Sequence, residues 1–255
     1  MPWLIFGASL KTCVFLLSVV LLAQGRLDRQ SGARDRARRI RPSRNPPRAP
    51  CLRCRATKVR PENAPVIPDE LFADWLSHAI EAGVREPHAM TLSTVDSAGR
   101  PSCRVVILKR LTEGRWGFAT SRASRKGIEL SQSPWAAVNF YWPQVGRQIR
   151  VRGKVIDAGP EEAVRDFLAR PHGSRAESWA GSQSQVLVSR DDLDAALAEA
   201  QAKVAAEPDA VPEQWTRFDL LADEVEFWQA DRERRHTRLR YRLTAGSWAS
   251  EQLWP

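Results

Sequence analysis

The chain has 255 residues, 43% hydrophobic and 27% charged, with ten tryptophans, a composition that can bury a sizeable core and excludes disorder throughout. Its net charge of +9 has the sign of a nucleic-acid binder, but the charge is concentrated. Residues 26–60 hold twelve arginines and one lysine against Asp28 and Asp35, and Lys11 adds one more, leaving about −3 on residues 61–255, which removes the electrostatic case for nucleic-acid binding by the body.

The first sixty residues read as a leader distinct from the domain expected over 61–255. Cys13 to Ala23 is an apolar run of signal-peptide length, preceded by Lys11 and too short for a membrane span. Arg26 to Arg60 is rich in Arg and Pro with almost no apolar periodicity, so it cannot offset the entropy of ordering. A targeting segment, a basic arm, and an extension that is dispensable or foreign to the native protein all remain open. A cytoplasmic body without stable membrane association is the expectation. Cys51 and Cys54 have the spacing of half a zinc site without a second pair close by, and no metal is expected.

Pro68 to Val84 places Leu71, Trp75, Leu76 and Ile80 on one face at helical spacing, with acidic residues at its start and Gly83 at its end. Met90 to Val95, the turn Asp96-Ser97-Ala98-Gly99 and Cys103 to Lys109 predict a hairpin. Further strands are predicted at Trp116 to Thr120, Ala136 to Trp142, Gln148 to Ile156, Arg217 to Trp228 and Thr237 to Leu243, and helices at Ser124 to Gln132, Glu161 to Ala169 and Asp191 to Ala206. Short strands with irregularly interposed helices favour a mainly β (α+β) antiparallel barrel with peripheral helices. There is no Gly-rich loop of the dinucleotide-binding kind.

Ser124-Arg125-Lys126 stands where a strand gives way to a helix, so free N–H groups, a hydroxyl and two cations converge on a potential anion site; solvated surface charge is the alternative. Arg104 and Lys109 are five positions apart in an apolar strand, so alternation sends them to opposite faces unless a bulge intervenes. A buried one needs an anionic partner. Arg170 to Ser174 and Arg234 to Arg238 read as loops with clustered donors, and His236 could stand near a reacting carbon or be an ordinary surface histidine.

Taken together and in this order, Glu86-Pro-His-Ala-Met90, Thr94-Val-Asp96, Arg104-Val-Val-Ile-Leu-Lys109, Ser124-Arg-Lys126, Tyr141-Trp-Pro143, Arg147-Gln148, Arg170-Pro171, Gln183-Ser184, Val225-Glu-Phe-Trp-Gln229 and Arg234-Arg-His236-Thr-Arg238 resemble the pyridoxine/pyridoxamine 5′-phosphate oxidase family, from about Ile67 to Pro255. The resemblance implies an FMN-binding split β-barrel of antiparallel Greek-key type and a homodimer with FMN at the subunit interface. By position it implies that Arg104, Val105, Val106, Ile107, Leu108, Lys109, Thr120, Arg125, Lys126, Gln148, Gln183, Ser184, Trp228 and Arg238 hold FMN. It implies that Lys109, Arg170 and Ser174 receive the phosphate of a vitamin B6 substrate, with Arg234 and His236 over the pyridine ring as catalytic residues. The reaction implied is oxidation of pyridoxine or pyridoxamine 5′-phosphate to pyridoxal 5′-phosphate, with oxygen as acceptor and hydrogen peroxide as product.

Several positions depart from the family pattern. Asp166 stands where a phosphate-binding Tyr is usual, Ala119 replaces a Tyr, Arg175 a Gln and Arg235 a Leu; an N-terminal Arg-x-x-Tyr lid has no counterpart, since Tyr141 and Tyr241 are the only tyrosines. Arg175 is expected to compensate the charge of Asp166. Two alternatives stay open: a related FMN oxidase of secondary metabolism, as in phenazine biosynthesis, and a non-catalytic flavin or pyridoxal-phosphate binder.

Overall fold

The computed structural model describes residues 59–255; the apolar run and the Cys51/Cys54 pair lie outside the described residues. Helix α1 (Pro68–Glu81) starts at a proline with Asp69 and Glu70 in its first turn and buries Leu71, Phe72, Trp75, Leu76 and Ala79. Phe72 meets Trp116 edge-on with centroids 4.6 Å apart and lies 5.0 Å from Phe140, so the helix seals an aromatic core.

Nine antiparallel strands follow: β1 (Ala89–Val95), β2 (Pro101–Ile107), β3 (Arg110–Thr112), β4 (Arg115–Ser121), β5 (Trp135–Trp142), β6 (Arg147–Asp157), β7 (Trp215–Gln229), β8 (Thr237–Thr244) and β9 (Ser247–Leu253). Helix α2 (Arg125–Gln132) separates β4 from β5, and α3 (Pro160–Leu168), α4 (His172–Ala180) and α5 (Arg190–Ala206) lie between β6 and β7. The sheet runs β2-β1-β5-β6-β7-β4-β3, with β8 on β7 and β9 on β8. Its two ends are β2 and β3, which only Leu108 and Lys109 separate. The Leu108 N–H donates to the His88 carbonyl on the β1 side and the Lys109 N–H to the Gly117 carbonyl on β4, so the curled sheet closes on itself at this two-residue break.

The fifteen-residue β7 serves three partners because it bends. Its pairing with β6 shifts register between Arg152 and Gly153, and a Cβ on Gly153 would stand 1.9 Å from the Leu221 carbonyl oxygen. Only a glycine lets the two backbones approach this closely.

The hairpin turn forms as its residues dictate, with Asp96 Oδ1 accepting from the N–H groups of Ala98 and Arg100. Two expectations are corrected, and three elements carried no expectation. Strand β2 stops at Ile107, so the alternation argument for Arg104 and Lys109 fails at the break. Arg170 to Ser174 is not a loop throughout, because α4 begins at His172 and carries Ser174. Helix α4 escapes an amphipathicity reading because it holds Gly173, Ser174 and Ser178; it is fixed by tertiary contact, with Ala176 buried against Ala200 and Val204 of α5. The short β3 and the mostly exposed β9 also lack a sequence signal.

Candidate active site

The expected site residues fall into two groups. The first surrounds a cleft of about 610 Å³ lined by Val105, Val106, Ile107, Lys109, Thr120, Lys126, Arg170 and Gln183, with Glu177, Trp215 and the apolar segment Val186 to Val188 completing its walls. Leu108 is fully buried in the core and contributes only backbone. Ser174 does not line the cleft; its carbonyl accepts from Arg170 NH2 at 3.1 Å and thereby helps to set that side chain.

At one end of the cleft, Ser124 caps α2 by accepting from the Gly127 N–H, and a Cβ on Gly127 would stand 2.4 Å from the Arg122 carbonyl oxygen, so the turn into the helix is tight. Lys126 Nζ donates to Thr120 Oγ1 and Gln183 Oε1, both at 2.9 Å, and to Ser124 Oγ at 3.2 Å. Burial and the neighbouring Arg104 charge push its pKa down to about 8, with Glu129 opposing them. Ser184, at a left-handed φ of 78°, accepts from the Arg125 N–H at 3.2 Å.

Glu129 of α2, which no sequence reading singled out, is buried between Arg104 and Arg125. Its Oε1 lies 2.8 Å from Arg125 Nε and its Oε2 3.1 Å from Arg104 NH2. Burial would raise its pKa, but hydrogen bonds from Thr94, Ser102, Arg125 and Arg104 hold the carboxyl at about 2. The i,i+4 relation of Arg125 and Glu129 was the available signal. Of this cluster only Lys126 lines the cleft itself, and three cations against one carboxylate leave an excess of two positive charges beside it, which matches a phosphate dianion.

The other end of the cleft is balanced. Lys109 Nζ lies 3.7 Å from Asp166 Oδ1, whose Oδ2 accepts from Trp215 Nε1 at 3.2 Å. Arg170 lies over the Trp215 ring at 4.3 Å. Burial lowers the pKa of both Lys109 and Arg170, and Asp166 opposes the shift in each. Arg175 does not compensate Asp166: its NH1 donates to the Pro208 carbonyl at 2.7 Å, and Lys109 meets that charge instead.

The second group lies on the β6-β7-β8 surface. Register aligns Gln148 with Trp228 and Trp228 with Arg238, so three residues distant in sequence share one row and line a recess of about 200 Å³ with Arg150, Glu226 and Pro255. The buried Glu226 pairs with Arg150 at 2.5 Å and with Arg238 Nε at 2.9 Å. Burial acts to raise its pKa, but these arginines hold it below the usual carboxylate range. Arg234 and His236 line an adjoining groove of about 670 Å³ with Arg60, Arg235 and the C-terminal residues. Arg234 is left-handed, with φ 61°. His236 stacks obliquely on Trp228, centroids 5.0 Å apart, and its Nδ1 accepts from the Asp231 N–H at 3.1 Å. A neutral His236 therefore carries its proton on Nε2. No residue lines both the cleft and the second group's pockets.

Residues 76–205 match the pyridoxamine 5′-phosphate oxidase family model, and residues 215–255 match the pyridoxine 5′-phosphate oxidase C-terminal dimerisation region. The chain is 40% identical to the pyridoxine/pyridoxamine 5′-phosphate oxidase of Pseudomonas fluorescens over 75% of its own length and 90% of that protein's. It belongs to the pyridoxamine 5′-phosphate oxidase family. The enzyme of that name from Pseudomonas paraeruginosa is 41% identical over 76% of this chain and 91% of its own.

Among solved structures, PhzG from Burkholderia lata in complex with tetrahydrophenazine-1-carboxylic acid is 34% identical with a TM-score of 0.72, covering 78% of this chain and 98% of that one. An FMN-binding protein from Nostoc punctiforme, 18% identical with a TM-score of 0.59 over 71% of this chain and 96% of that one, shares the split-barrel fold. This chain is accordingly an oxidoreductase of a flavin-binding family, with an oligomerisation region at its C-terminus. Among the described residues no helix is long and apolar enough to cross a membrane.

Proposed function

We propose that this oxidase binds FMN and oxidises pyridoxine or pyridoxamine 5′-phosphate to pyridoxal 5′-phosphate. The observation that carries the cofactor assignment is the double positive excess formed by Arg104, Arg125, Lys126 and Glu129 beside the apolar wall of Val105 to Ile107. Such a cleft takes a phosphate at one end and a flat ring along the other. FMN bound there supplies the acceptor for a hydride from the substrate carbon, with oxygen as the final acceptor and hydrogen peroxide as product.

The chain's own groups bind and orient. Lys109 and Arg170 face the substrate's anionic end, and the backbone of Val105 to Lys109 borders the ring. Gln148, Trp228 and Arg238 complete the cofactor site from a second copy of the chain, which makes the enzyme a homodimer with FMN at the interface. Arg234 and His236 come from the same second copy and cover the substrate ring, His236 donating through Nε2. The division of the expected residues between two non-overlapping surfaces supports this arrangement, as does the exposure of Val186, Val188 and Trp254, at 92%, 88% and 91%.

A specific observation favours a second reading of the substrate. Lys109 and Arg170 against Asp166 and Glu177 leave no positive excess where a substrate phosphate would go. Val186, Leu187, Val188, Leu193 and Leu197 extend the apolar wall. A larger aromatic monocarboxylate of the kind held by PhzG fits that balance. Oxygen uptake with FMN and each vitamin B6 phosphate, with assay of the aldehyde product, tests the first reading; turnover of a reduced tricyclic carboxylate alone would replace it with the second.

A further inference from the structure

We propose that Glu129 is the positioning residue of the phosphate end, holding Arg104 and Arg125 in the arrangement that grips the cofactor phosphate. The proposal rests on the FMN reading above. Glu129 is 3% exposed and ties three elements together: Thr94 of β1 donates to Oε2 at 2.5 Å, Ser102 of β2 lies 2.8 Å from both carboxylate oxygens, and Arg125 of its own helix donates to Oε1. Arg104 is gripped more firmly still. Its NH2 donates to Glu129 Oε2 at 3.1 Å and to Ser102 Oγ at 2.7 Å, and its NH1 donates to Thr94 Oγ1, the hydroxyl that itself donates to Glu129.

Glu129 engages Arg125 through Nε alone, which leaves the terminal guanidinium nitrogens of Arg125 to a ligand. A buried carboxylate that merely neutralised the site would weaken anion binding. This one instead opposes the mutual repulsion of Arg104, Arg125 and Lys126, and its charge favours the protonated form of Lys126. Without it, the two arginines lose a shared anchor and the lysine loses part of its charge at neutral pH. An ordered cationic cluster binds a phosphate better than a splayed one, because the ordering is already done.

The test compares FMN with riboflavin, which lacks the phosphate, on the intact 255-residue chain and its Glu129→Gln variant, by quenching of flavin fluorescence. The native chain is expected to prefer FMN, and Glu129→Gln to lose about tenfold or more in FMN affinity with riboflavin affinity unchanged. Equal weakening of both flavins would assign Glu129 a structural role only and overturn the proposal, as would a retained FMN preference. A native chain that does not discriminate the two flavins would remove the phosphate site itself, and the proposal with it. If Glu129→Gln fails to fold, Ser102→Ala, which loosens the same clamp at a half-buried position, is expected to reduce the FMN preference in the same sense, and an unchanged preference there overturns the proposal.

Discussion

Lys109 lines the cleft that would receive the substrate, and its Nζ stands 3.7 Å from Asp166 Oδ1. The aspartate cancels a charge that a phosphate would otherwise meet. Asp166→Asn keeps the shape and removes the charge, so the KM for pyridoxine 5′-phosphate is expected to fall about tenfold with kcat little altered. Steady-state oxygen uptake measures it; an unchanged KM would mean that the substrate's anionic group does not lie against Lys109.

Lys126 is expected to set a pH limit on cofactor binding. With its pKa lowered to about 8, its charge helps to hold a phosphate below that value, and FMN affinity is expected to decline as pH rises through about 8. The sign for stability is opposite. The folded apo-protein holds this lysine's proton less tightly than the unfolded chain does, so its contribution to stability increases between about pH 8 and 10.5. Flavin titrations and urea melts across this range separate the two trends.

His236 touches no residue of the phosphate end, and its Nδ1 is already taken by the Asp231 N–H. Replacing it by alanine is expected to lower kcat by about 10²-fold while FMN affinity stays within about twofold. Loss of flavin on purification of His236→Ala would instead make it a cofactor residue.

If the two groups of site residues meet only across two chains, FMN binding and dimerisation are linked. Sedimentation velocity at submicromolar protein is expected to show a larger dimer fraction with FMN than without. Equal dimer fractions would place the whole cofactor site within one chain.

Gly153 has no room for a side chain, since its Cβ would meet the Leu221 carbonyl oxygen at 1.9 Å. Gly153→Ala is expected to cost about 2–3 kcal/mol and about 5–10 °C in Tm. Differential scanning calorimetry tests this, and a native-like Tm would mean that the β6-β7 bend relaxes freely.

What the sequence determined by itself was local. Helix α1 is written in the spacing of Leu71, Trp75 and Leu76, the first hairpin in Asp96 to Gly99, and the capped, cationic start of α2 in Ser124-Arg125-Lys126, because each depends on residues within a turn or two of one another. The tertiary structure alone decided which distant groups meet. The break at Leu108 and Lys109 follows from ring closure, and helix α4 exists because Ala176 packs on α5. The row Gln148, Trp228, Arg238 is created by strand register. The partners of Asp166 and Glu129 were hidden for the same reason: a carboxylate's role depends on which cations the fold brings within a few ångströms of it, and Lys109 and Arg104, which meet these two, come from segments distant in sequence.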